Sequence, residues 1–105
     1  MLDFNDKVVL ITGSSRGIGR AIARLFAERG ARVAVHYNRN RAAAEATLAE
    51  LPAGSHLLVQ ADLTDPAAVA AMVEAVVAEA GRVDVLVNNA GIYEDHPLAE
   101  VSYEE

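Results

Sequence analysis

Lys7-Val8-Val9-Leu10-Ile11-Thr12-Gly13-Ser14-Ser15-Arg16-Gly17-Ile18-Gly19 is the stretch that decides the fold. Its first half is a short apolar run that reads as a buried strand. Its second half carries three glycines, and residues 18–29 then read as an amphipathic helix. Strand, glycine-rich turn and helix together form the arrangement that holds a dinucleotide pyrophosphate. Gly13 suits the φ of a tight turn. Gly17 lacks a Cβ, so a phosphate can approach the backbone. Gly19 lets the helix pack close to the strand. The first helical N–H groups lack intrahelical partners and sit at the positive end of the helix dipole, so an anion binds there without a dedicated cation.

Outward from this segment, strand and helix alternate. Strands are predicted at 7–12, 32–37, 55–60 and 83–88, with helices at 17–30, 41–51 and 66–80. Helix one shows Ile18, Ala21, Ile22, Leu25 and Phe26 as its apolar face, and Gly30 marks its end. Arg41 and Glu45 are spaced to pair on the second helix. Asp65-Pro66 supplies an N-cap and first helical residue for the third. That helix's apolar face reads Val69, Met72, Val73, Val76, Val77 and Ala80, and Gly81 closes it. The strands are nearly continuous apolar runs, as in a parallel sheet covered on both faces. Right-handed crossovers then give an α/β doubly wound sheet in the order 3-2-1-4. The Gly13–Gly19 turn and the Asn88–Gly91 turn both fall at carboxyl ends of strands beside the switch point.

The 105 residues suffice for one domain with a core, and 52% of them are hydrophobic, which excludes a disordered chain. The net charge of −6 argues against a nucleic-acid partner held by bulk charge. The absence of cysteine excludes disulfides and thiolate chemistry and fits a cytoplasmic location. No signal peptide or membrane-length apolar run is read in the sequence. His36, His56 and His96 show no metal-ligand spacing.

From Thr12 onward the spacing is T-G-x-x-x-G-x-G, which resembles the corresponding segment of the short-chain dehydrogenase/reductase family. Asn88-Asn89-Ala90-Gly91 resembles that family's N-N-A-G motif. Asp62-Leu63 closes the third strand where the family places an acidic residue near the adenine. The resemblance covers the whole chain but less than half of a typical member. It implies a Rossmann-type NAD(P)-binding domain over 1–105, the N-terminal part of an oxidoreductase acting on a carbonyl or secondary alcohol. Ser14-Ser15-Arg16 and the end of strand two look like the 3-oxoacyl-acyl-carrier-protein reductase branch. Such a parent is expected to be a homo-oligomer, and the piece itself prone to self-association.

On the same resemblance, Gly13, Ser15, Arg16, Gly17, Ile18 and Gly19 are expected around the pyrophosphate. Asn38 and Arg39 are expected near the adenosine ribose, Asp62 and Leu63 near the adenine, and Asn89, Ala90 and Gly91 along the cofactor. Asn88 is expected to hold neighbouring strands together. Asp62 equally suits a loop cap. In NAD-binding members an acidic residue ends strand two, whereas here Tyr37 takes that place and no Asp or Glu is near. Arg16 and Arg39 could instead grip a 2′-phosphate, favouring NADP over NAD; otherwise they are ordinary surface arginines.

The family's catalytic Tyr-x-x-x-Lys has no counterpart in these 105 residues. Tyr37 is followed four positions on by Arg41 and Tyr93 by Pro97, and Lys7, the single lysine, precedes both. Ser102-Tyr103-Glu104-Glu105 reads as a capping box opening another helix or as a solvated acidic tail. The expectation is a cofactor-binding fragment without catalytic residues. The rival readings are a non-catalytic module holding a dinucleotide or a partner chain, and a degenerate product with no function.

Overall fold

Val8–Ile11 form β1, and all four side chains are buried. The chain continues through α1 (Gly17–Glu28), β2 (Arg32–Tyr37), α2 (Arg41–Glu50), β3 (Leu57–Gln60), α3 (Pro66–Ala80) and β4 (Val85–Val87). These elements belong to a computed structural model that describes residues 3–89, so Ala90, Gly91 and the residues 102–105 lie outside the described part.

The four strands make one parallel sheet in the order β3-β2-β1-β4. This is the order expected from right-handed crossovers that start on β1, go one way twice, and then return to its other side. The register sets Val9 beside Val33 and Val85, so the odd-numbered residues of β1 share one face with those of its neighbours. α1 and α2 cover that face, burying Val9, Ile11, Val33, Val35 and Tyr37 against Ala23, Ala27 and Ala44. α3 covers the other, where Val8, Leu10 and Ala34 meet Met72 and Val76.

Local chemistry fixes the helix ends. The Asp65 carboxylate accepts from Ala67 N–H at 3.0 Å, Pro66 follows in the first turn, and Gly81 closes α3 at φ +93°. Asn40, not anticipated from the sequence, caps α2 through Ala43 N–H at 2.9 Å. Arg41 and Glu45 pair at 2.9 Å as expected.

Four expectations are corrected. The buried face of α1 is Gly19, Ala23 and Ala27 with Ile22 and Phe26 beside them, whereas Ile18 and Leu25 are half exposed. A helix lying directly over a sheet presents its small residues where the backbones approach, which an apolar count does not register. Val77 of α3 is likewise 42% exposed. Full coverage on both faces holds for β1 and nearly so for β2, while β3 and β4, at the two edges of the described sheet, are only partly buried. Strands one, three and four are also shorter than read, and His56 lies just before β3.

Candidate functional site

The turn between β1 and α1 is built from residues whose partners come from every neighbouring strand. Gly13 and Gly17 take φ +66° and +63°, the left-handed region in which a side chain is strained. Ser14 is fully buried; its hydroxyl donates to the Ile11 carbonyl at 2.7 Å and accepts from His36 N–H at 2.8 Å. The Gly13 N–H donates to His36 Nδ1 at 2.8 Å, and His36 Nε2 donates to the Ala61 carbonyl at 2.9 Å. From α2, the buried Thr47 hydroxyl donates to the Ser15 carbonyl at 2.8 Å. Arg16 occupies the N-cap of α1 in extended conformation, and its side chain makes no capping bond.

Across the switch point, Thr12 joins β1 to β4. Its N–H donates to the Val87 carbonyl at 3.0 Å, and its hydroxyl lies 3.2 Å from Asn88 Oδ1 and accepts from Asn89 N–H at 2.9 Å. Asn88 thus takes part in holding the strands together, as the sequence suggests. Asn89 is 1% exposed, and its Nδ2 donates to the Gly13 carbonyl at 3.2 Å. Its Oδ1 is buried with no hydrogen-bond partner among the described residues. The reverse amide orientation would set two acceptors against each other, so the carboxamide is held with this oxygen unused. Gly19 completes the contact: a Cβ there would come within 2.2 Å of the Gly13 carbonyl oxygen and 2.5 Å of Asn89 Nδ2.

At the end of β2, the Tyr37 side chain turns into the core, and its hydroxyl accepts from Arg41 at 3.1 Å. Asn38 and Arg39 follow it and are exposed, as is Arg16. The Asn38 carbonyl accepts from Gln60 Nε2 at 2.9 Å. After β3, Asp62 accepts from both the N–H and the hydroxyl of Thr64, at 2.9 and 2.7 Å, a loop-capping role. These bonds, with a smaller contribution from the Arg39 charge, hold its carboxyl below the usual range. Leu63 is partly buried against the α3-side core. The structure therefore brings Gly13, Ser15, Arg16, Gly17, Ile18, Gly19, Asn38, Arg39, Asp62, Leu63 and Asn89 to the carboxyl ends of the strands. Ala90 and Gly91 lie outside the described residues.

The structure adds His36 and Thr47 to this site, together with Thr12 and Ser14 from within the glycine-turn motif. The available signal was a polar residue inside an apolar strand, His36 after Val33-Ala34-Val35. Buried polar groups are retained where they are hydrogen-bonded. Among the described residues no cluster of side chains could hold a metal ion, and no helix is long and apolar enough to cross a membrane.

The family model for short chain dehydrogenase matches residues 7–105. The chain is 42% identical to an uncharacterized oxidoreductase of Methylorubrum extorquens, over 99% of this chain and 43% of the relative. It is 45% identical to the 3-oxoacyl-acyl-carrier-protein reductase FabG of Staphylococcus aureus, over 94% of this chain and 41% of that protein. A short-chain dehydrogenase from Burkholderia cenocepacia, solved in complex with NADP, superposes with a TM-score of 0.82 at 39% identity, covering 98% of this chain and 43% of that one. The chain thus spans about two fifths of the length of the curated relatives it matches.

Proposed function

The chain belongs to the short-chain dehydrogenase family, and on that premise we propose that it supplies the NADP-binding portion of an oxidoreductase acting on a carbonyl or secondary alcohol. The observation that carries this reading is the Gly13–Gly19 turn, which pairs two left-handed glycines with a helix start that Arg16 leaves uncapped. Such a turn exposes backbone N–H groups to an anion and concentrates the positive end of the α1 dipole on it. The bound cofactor would give hydride to a carbonyl or take it from a secondary alcohol; these residues would bind and orient it. The glycine turn takes the pyrophosphate. Arg39 and Arg16 take the 2′-phosphate from either side. Asp62 and Leu63 lie along the adenine, and Asn89 offers its unused acceptor to the cofactor. Ala90 and Gly91 are assigned beside Asn89 on the family motif. The lack of cysteine suits a cytoplasmic location, which is part of the same proposal.

Calorimetric titration of NADP and NAD at fixed ionic strength tests the assignment. A hydrogen bond to a charged group contributes about 1.5–3 kcal/mol, so loss of Arg39 is expected to weaken NADP roughly ten- to a hundredfold. Arg39→Ala leaves NAD binding unchanged. Gly13→Ala weakens both cofactors, because the pyrophosphate is common to them. Equal affinities of the wild type for NADP and NAD, or equal losses in Arg39→Ala, would show that this arginine does not read the 2′-phosphate.

The 105-residue chain is expected to show no turnover of NADPH with ketones or 3-oxoacyl thioesters. It contains no Tyr-x-x-x-Lys, and a positioned general acid is typically worth about 10²–10⁴-fold. NADPH oxidation that copurifies with the chain would overturn this expectation. The purified chain is also expected to self-associate. β4 is an edge of the described sheet, and Leu86 on it is 58% exposed. An apolar strand edge recruits further chains. A concentration-independent monomer in sedimentation would contradict this.

A further inference from the structure

We propose that His36 is a positioning residue of the cofactor site, a neutral imidazole that locks the glycine turn to the loop after β3. The inference rests on the dinucleotide reading above and deepens it. His36 is the penultimate residue of β2, is 2% exposed, and shares the α3-side face with Ala34. A backbone N–H can only donate, so the 2.8 Å bond from Gly13 fixes Nδ1 as an unprotonated acceptor. The proton of the neutral ring is then on Nε2, where it meets the Ala61 carbonyl at 2.9 Å. One ring thereby joins the turn assigned to the pyrophosphate with the residue preceding Asp62, in the loop assigned to the adenine. The His36 backbone adds a further tie through Ser14 to the Ile11 carbonyl.

Protonation of Nδ1 would set two N–H donors against each other at Gly13 and release the turn. Burial pushes the imidazole below its ordinary value, partly offset by the bond to Ala61. Charged side chains of the flanking segments include Arg16 before α1, Arg39 after β2, Asp62 after β3, Asp65 at the N-cap of α3, and Glu74 and Glu79 on α3. All are exposed, and the shift comes from burial and the Ala61 bond, not from these charges. The sign follows from linkage. The folded state binds the proton less readily than the unfolded chain, whose imidazole titrates near about 6.5. The His36 contribution is therefore complete above about pH 6.5 and is lost as the pH falls through the lower, folded-state value. The shifted carboxyls, Asp62 and Asp84, give up their contributions only below the ordinary carboxylate range of about 3.9, outside this window.

Two measurements on the full 105-residue chain test the proposal. Nitrogen NMR of the histidine rings should show His36 protonated on Nε2 alone at pH 7.5, titrating below the value of an exposed histidine. The same spectra should show the Gly13 amide becoming exchange-labile as His36 protonates. NADP affinity should fall more steeply, by up to about tenfold, between pH 7.5 and 5.5 in the wild type than in His36→Asn, which keeps an acceptor but does not titrate. Titration of the 2′-phosphate itself is common to both proteins and cancels. A His36 ring protonated on Nδ1 at neutral pH, or a His36→Asn variant with the pH profile of the wild type, overturns the proposal. The ring tautomer and the Gly13 amide respond whether or not NADP binds. Failure of the dinucleotide reading would therefore appear as absent binding with the His36 signature intact.

Discussion

Gly19→Ala is expected to abolish dinucleotide binding and to lower the urea midpoint more than any other single-methyl change near the site. The added Cβ would lie 2.2 Å from the Gly13 carbonyl oxygen and 2.9 Å from its carbon, inside any allowed contact. The obstacle is backbone, and behind it stands the buried Asn89 side chain bonded to that same carbonyl. Neither can rotate away. α1 must therefore lift from the turn, or the turn must leave β4. Overpacking of this kind typically costs about 1–3 kcal/mol and more where the neighbour is rigid, so a loss of at least about 3 kcal/mol is expected. The pyrophosphate turn is displaced in either case, so NADP and NAD are lost together. Gly81→Ala is the control. Gly81 has φ +93° but nothing within 4 Å of its notional Cβ, so the substitution should cost about 1–2 kcal/mol through backbone conformation alone and leave binding intact. Urea denaturation followed by circular dichroism, with calorimetric titration of both cofactors, separates the two. A Gly19→Ala protein with wild-type affinity would show that α1 and the turn are not in the close contact described.

Ser14→Ala is expected to cost about 1–3 kcal/mol and to weaken both cofactors by the same factor. Ser14 is fully buried, and its hydroxyl is the acceptor for His36 N–H as well as a donor to Ile11. Alanine fits the space but leaves a buried donor without its acceptor, where water does not reach. The His36 ring loses one of the restraints that set Nδ1 against Gly13. The effect therefore falls on the turn shared by NADP and NAD, and the preference between them stays unchanged, in contrast to Arg39→Ala. Denaturation midpoints and paired titrations read both parts. A selective loss of NADP in Ser14→Ala would place this serine at the 2′-phosphate instead of beneath the turn.

The helix and strand order was legible because periodicity marks the elements and several boundaries carry their own local chemistry. Asp65-Pro66 begins α3 and Gly81 ends it within the sequence itself, and the limits of β2 were read without error. The 3-2-1-4 order was expected from the doubly wound fold with its switch point beside β1, and the hand of its crossovers from the chirality of L-residues. The glycines of the turn were legible for the same reason, since the left-handed φ at Gly13 and Gly17 is a local demand.

Other features depended on residues far apart in the chain. Gly19 earns its place through Gly13 and Asn89, the latter seventy positions away, and His36 through Gly13 and Ala61. An apolar count could not tell that α1 would turn Ala23 and Ala27 inward and leave Ile18 and Leu25 half exposed. Local residues set the succession of elements and point to the end of the sheet where the site forms, because propensity, capping and chirality act over a few residues. The polar groups that the turn buries together, and the way each is satisfied, were set by the fold as a whole. A buried donor must find its acceptor in space, and that partner is chosen by the packing of the whole sheet and not by its neighbours in the chain.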